Sequence, residues 1–184
     1  MEMENEMNEP SYWPSVFLAG VIVAFIMSAL GLGSGYMTLG SEPTGETFSA
    51  ASFLGILVCL IAGIAGIIAT RHYAREHDVT FPIGRGALIG FLSGVTAVTI
   101  STLVGLLWTA VIDPNMNQAL YDWQIMNMEA ANMTEEQIEM TLKFTPKPGS
   151  MMAVLSQFGI GLVVIGIFNL LTGMIGAKVF ASEE

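Results

Sequence analysis

Residues 15–38, 48–70, 86–112 and 151–177 contain no Asp, Glu, Lys or Arg. Each stretch exceeds the roughly 20 residues with which an α-helix crosses about 30 Å of hydrocarbon. Only 12% of the 184 residues are charged, against about 25% in a soluble domain. Four such stretches in so short a chain leave no room for a separate soluble domain. The expected fold is therefore all-α: one integral membrane four-helix bundle occupying residues 1–184. Its spans fall at about 15–38, 48–70, 84–112 and 151–178, and an exterior amphipathic helical segment occupies 113–150.

The first stretch does not read as a cleaved signal peptide. Its flank, MEMENEMNEP, carries Glu2, Glu4, Glu6 and Glu9 and no basic residue. A signal peptide needs a positive n-region and a shorter apolar core. The net charge of −10 argues against nucleic acid, which requires a basic surface to neutralise phosphates. It equally disfavours a polybasic lipid-binding role. Cys59 is the single cysteine, so no intrachain disulfide forms, and its mid-span position suggests a small buried apolar residue.

Gly31, Gly33 and Gly35 follow the first apolar run in SALGLGSGYMTLG. A dinucleotide fingerprint needs a strand before the glycines and a helix after them. Neither is present in the pattern, and the last spacing is wrong. A membrane helix accounts for more. Gly20, Ala24 and Ser28 recur every fourth residue and so share one helix face. Small faces let helices approach closely in lipid, where burial between helices gains no hydrophobic energy. The same device recurs as Ala51, Gly55, Cys59 and Gly63 in span two, Gly86, Gly90 and Gly94 in span three, and Asn169, Gly173 and Ala177 in span four. Gly31–Gly35 then marks a loosened outer end of span one and a candidate helix break.

Basic residues near span ends set orientation. Arg71, Arg75, Arg85 and Lys178 lie on one side and Lys143 and Lys147 on the other. The expectation is an inner (cytoplasmic) membrane protein with both termini cytoplasmic and residues 113–150 exterior. Within that segment, Asp113-Pro114 reads as an N-cap carboxylate with proline in the first turn. Met116, Leu120, Trp123 and Asn127 share a face bordered by Ala119, Met126 and Ala130, which suggests a helix lying along the membrane surface. Thr134-Glu135-Glu136-Gln137 reads as a capping box opening a second helix, which Pro146, Pro148 and Gly149 stop.

Reactive constellations are sparse. Glu135, Glu136 and Glu139 crowd a helix N-terminus, where the macrodipole favours negative charge, and the segment has no His or Cys to complete a zinc set. Met126 and Met128 could suggest a Cu(I) thioether pair, but two residues apart on a helix their side chains diverge, and packing is the better reading. His72 and His77 sit among Arg71, Arg75, Glu76 and Asp78 and read as a solvated loop. No span holds an ionisable group of the kind pumps and transporters place in the bilayer. Gln157, Asn169, Thr96, Thr99, Ser101 and Thr102 are the polar groups at depth, suited to interhelical hydrogen bonds worth about 0.6 kcal/mol each.

The stretches ATRHYAREHDVTFPIGRGALIGFLSG and WTAVIDPNMNQALYDWQIMNMEAANMTEEQIE resemble the bacterial membrane-protein family known as domain of unknown function 4199. The shared features are four spans, the Thr80-Phe81 dipeptide after a charged Tyr-Arg type loop, Asp113-Pro114 after span three, and the Met133–Gln137 turn. The acidic tail and the Gly31–Gly35 run lie outside them. The resemblance implies four spans and no assigned activity.

The sequence thus points to a non-enzymatic membrane protein with no catalytic residue, cofactor or metal site. Its expected partners are the lipid bilayer and another membrane protein, or a second copy, held through the small-residue faces. An accessory or assembly subunit fits best. A small-solute transporter or channel acting as an oligomer is the alternative.

Overall fold

The computed structural model describes residues 10–46, 48 and 50–181, with the side chains of residues 50 and 51 left aside. Among the described residues seven α-helices follow in order: α1 (Trp13–Leu39), α2 (Ala50–Ala62), α3 (Ala65–His77), α4 (Ile83–Leu107), α5 (Met116–Ala130), α6 (Glu135–Phe144) and α7 (Met151–Phe180). No strand occurs among the described residues. Four units are long and apolar enough to cross a membrane: Trp13–Leu39, Ser52–His77, Ile83–Ile112 and Met151–Phe180. These are spans one to four, and the chain is a four-span helical bundle. One end carries the turn between spans two and three, and is called here the turn end. The other carries residues 113–150, and is the segment end.

Span one is a continuous helix through Leu39. The glycine run therefore breaks nothing. The break lies in span two instead, where Gly63 and Ile64 separate α2 from α3. Span two also continues past the membrane-like stretch to His77, because Arg71, Arg75 and Glu76 point outward while Thr70, Tyr73 and Ala74 are buried. Asp78 ends it in the left-handed region, φ 49°. The predicted loop 71–85 is thus largely helix, and the turn shrinks to residues 78–82.

Span three is the centre of the bundle, packed most extensively on span four and also on span one and α3. The predicted stripes of spans three and four meet each other. A Cβ added at Gly90 would strike the carbonyl oxygen of Asn169, one at Gly86 would strike the Cβ of Ala177, and one at Gly173 the carbonyl of Gly86. Only hydrogen at these positions permits backbone-to-backbone approach, and dispersion over such contacts holds helices together in lipid. Gly20 meets Thr96 in the same way, with a hypothetical Cβ 2.6 Å from Thr96 Cγ2, and Ala24 is fully buried.

The stripe of α2 behaves differently. Gly55 and Cys59 are exposed, and nothing lies within 4 Å of a Cβ built on Gly55. The expectation that Cys59 is buried is overturned. The face that enters the bundle is Ala62, Ala65, Gly66 and Ala69, and Gly63, the last member of the predicted stripe, is buried with it.

Replacing Gly90 by Ala is expected to lower stability by about 1–3 kcal/mol through overpacking. Gly159→Ala, where a Cβ meets nothing within 4 Å, should leave it unchanged or higher. Reversible unfolding of both variants in the same detergent micelle is the measurement.

Candidate functional site

The break in span two frees backbone groups within the bundle, and span four supplies their partners. Asn169 is fully buried. Its Nδ2 donates to the Ala62 carbonyl at 2.8 Å, and its Oδ1 accepts from the Gly66 amide at 2.8 Å. A further bond runs from Nδ2 to Ile165 O in its own helix, 2.9 Å. Thr172 Oγ1 donates to Gly63 O at 2.6 Å. One side-chain amide thus bridges the end of α2 and the start of α3, standing in for the missing turn. Of the polar residues expected to bond between helices, Asn169 does so. Thr96, Thr99 and Ser101 instead donate back to Leu92, Val95 and Val98 of their own helix.

Past the break, α2 packs on α1 and makes little contact with α7. A cavity of about 370 Å³ opens on the segment side of Asn169. Span one lines it from Met27 to Leu32, span three from Val98 to Thr109 and span four from Val154 to Ile165, while span two contributes Val58. Met116 and Asn117 of α5 close its upper end. Its floor borders the buried cluster of Val23, Ala24, Met27, Ala62, Ala65 and Ala97. Among the predicted polar groups, Ser101, Thr102 and Gln157 face this cavity, together with Ser28 and Thr109. Thr96, Thr99 and Asn169 are not part of its lining.

The roof is held by a chain of polar contacts. Span three finishes in a π-helical turn, Trp108–Ile112, a distortion frequent at functional sites. Trp108 Nε1 donates to Tyr36 Oη at 3.0 Å, and Tyr36 donates to Asp113 Oδ2 at 2.9 Å. Asp113 is therefore not the predicted N-cap. That position belongs to Asn115, whose side chain makes no capping bond. The second predicted cap is present: Thr134 and Gln137 form a reciprocal capping box.

The predicted face of α5 covers the loop after α1. Trp123 Nε1 donates to Ser41 O at 2.9 Å, and Asn127 Oδ1 accepts from Gly45 N at 2.9 Å. Gly45 has φ +77°, and a Cβ there would lie 2.6 Å from Ala131 N. Met128 is buried beside this contact and Met126 is exposed, so the two thioethers occupy different environments. Glu135, Glu136 and Glu139 are exposed on α6. No group of three or more His, Cys, Asp or Glu able to hold a metal ion occurs among the described residues.

Sequence reasoning missed a Ser–His contact at the turn end. Ser15 Oγ lies 2.9 Å from His72 Nδ1, within the reach that nucleophile activation requires. Ser15 is fully buried, however, and the cavity lies at the opposite end of span one. The contact ties span one to α3. His77 packs edge-on to Tyr73, with ring centroids 5.3 Å apart, so both histidines sit on helix α3 rather than in the predicted solvated loop. Their separation of 57 residues, from Ser15 to His72, leaves no local pattern that could have revealed the pair.

No curated protein and no solved structure matches the chain. Residues 18–180 match the family described as protein of unknown function, DUF4199. With four membrane-compatible helices and that match along nearly its whole length, the chain belongs to the DUF4199 family.

Proposed function

We propose that this protein is a non-enzymatic assembly subunit of the inner membrane, with both termini cytoplasmic, which docks another membrane chain against α2. One observation carries the reading. The predicted small-residue positions of spans three and four, and Gly20 and Ala24 of span one, pack inside the bundle, whereas Gly55 and Cys59 on α2 face outward. Small residues four apart on a lipid-facing helix admit a second helix at close range. The neighbouring exposed side chains Phe53, Ile56 and Leu60 would flank such a partner without ionic groups to desolvate.

Passage of a small solute, the competing reading, draws support from the cavity and its hydroxyls. A single copy supplies only half a path, because the cavity stops at the cluster around Ala62 and Ala97. Below it, Gly86 and Gly90 close on Gly173 and Asn169.

The test uses the full chain, extracted in mild detergent from its native membrane and run on a native gel. Wild type should migrate above monomer mass with a partner at fixed stoichiometry. Gly55→Leu should reduce that species at least tenfold while leaving the melting temperature of the chain unchanged, since nothing within 4 Å opposes a side chain there. Thiol cross-linking through Cys59 identifies whether the partner is a second copy. A wild-type monomer with no accompanying chain would sink the reading. Flux into liposomes that disappears in Gln157→Leu would favour the solute path instead.

A further inference from the structure

We infer that α6 is a tilted surface anchor, its C-terminal end set in the headgroup layer of the bilayer beside span four. There Met140 and Phe144 meet the upper acyl chains, and Lys143 and Lys147 meet the lipid phosphates. The bundle leaves α6 almost unused: none of its residues is buried, and it packs only lightly on α5. Ile138 and Leu142 are half-buried, so the helix rests on the chain through that side. Four-residue spacing places Glu136, Met140 and Phe144 in one row on the opposite side. Met140 is 59% exposed and Phe144 82%, the highest value among the large hydrophobic side chains of the described residues.

The place of this row in the chain says what covers it. Span four exposes apolar side chains from its first turn, at Met151, Met152 and Leu155, and span three exposes Val111 and Ile112 in its last. The hydrocarbon boundary at the segment end therefore lies near Ile112 and Met151. Residues 145–150 join α6 to span four, and Ser150 N donates to Lys147 O at 3.1 Å, which folds half of that link into a turn. Phe144 is thus held within about 20 Å of Met151, close to a surface that lipid covers. The charges run the same way. Glu135, Glu136 and Glu139 occupy the end of α6 away from span four, and Lys143 lies at the end towards it, with Lys147 in the link. These two are the only basic residues between Arg85 and Lys178. Lipid phosphates attract lysines and repel carboxylates, and a lysine stem covers apolar surface while its ammonium reaches the headgroups. A row passing from Glu136 through Met140 to Phe144 enters such a layer obliquely, C-terminal end first.

The test places the full chain, carrying Cys59→Ala, in nanodiscs of phosphatidylcholine and phosphatidylglycerol at one copy per disc. A nitroxide is attached in turn at Glu136→Cys, Met140→Cys, Phe144→Cys and, as a hydrocarbon reference, Leu155→Cys. All four positions are exposed, so no packing is lost. Collision with oxygen, which concentrates in lipid, is compared with collision with a water-soluble nickel chelate. The oxygen-to-nickel ratio should rise along the row, reach at least about fivefold more at position 144 than at 136, and approach that at 155. A label brings some affinity for lipid of its own, so the label at 140 is also read with Phe144→Ser and with Lys143→Glu plus Lys147→Glu. Each change should lower its ratio at least about twofold. Equal ratios at 136 and 144 overturn the inference, as does a ratio at 140 that neither change moves. Shielding of 144 from both reagents overturns it too, since protein rather than lipid then covers the row. Cys59→Ala keeps a small residue on the α2 stripe and each disc holds one copy, so this result and the docking reading stand or fall separately.

Discussion

A carbonyl or amide released from its helix inside hydrocarbon has no water to bond, and each such group costs several kcal/mol if left alone. The break at Gly63–Ile64 is possible only because Asn169 arrives from span four with one donor and one acceptor in the right order. Its amide answers Ala62 O and Gly66 N, while Thr172 answers Gly63 O. The same residue is where Gly90 and Gly94 of span three approach span four, with a Cβ on Gly94 reaching 2.9 Å from that of Asn169. Asn169 therefore sits at a three-helix junction, and the packing of spans two, three and four is organised around one side chain.

Two unlike halves follow from that junction. Towards the turn end the contacts are backbone to backbone, reinforced by Tyr73 against Phe81, ring centroids 5.1 Å apart, and by the Ser15–His72 bond. Towards the segment end α2 has left span four, and the space it leaves is the cavity. The Trp108–Tyr36–Asp113 chain and the docking of α5 on the loop after α1 then close the top without filling the interior. The closely packed half fixes the geometry, and the open half holds the cavity. Both the exposed stripe of α2 and the cavity arise from the same departure.

Much of this was legible in the residues, and the rest was lost for identifiable reasons. Charge-free length located the spans, and four-residue spacing of small side chains named the interface between spans three and four. Both signals are local, and both report a condition the bilayer enforces. The break was invisible because LVCLIAGIAGIIA reads as uninterrupted helix, and its cause lies 103 residues away in Asn169. Once the break is missed, the departure of α2 from span four is missed with it, and Gly55 and Cys59 are misassigned to the interior. Asp113 was misread for a related reason. An Asp-Pro pair looks like a helix start, but the π turn draws the Asp113 amide back to Trp108 O at 3.0 Å, and Tyr36 claims its carboxylate. In the segment, the capping box at Thr134 was legible because all its atoms lie within four residues.

The polar residues of the spans bear on function through what they have already spent. Serine or threonine in an apolar helix can be taken as the beginning of a water path. Here Ser28, Thr96, Thr99, Ser101 and Thr109 each give their proton to a carbonyl three or four residues earlier. That bond satisfies the donor within the helix and removes the need for a partner on another span. What remains is an oxygen with acceptor capacity, which a hydroxyl can use and a carboxylate cannot. Passage of an ion would need groups that replace its hydration shell on both sides of the bilayer, and the contacts around Asn169 occupy the level where the second half of such a path would run. The hydroxyls of this bundle are bonded within their own helices, and its charges are confined to the ends.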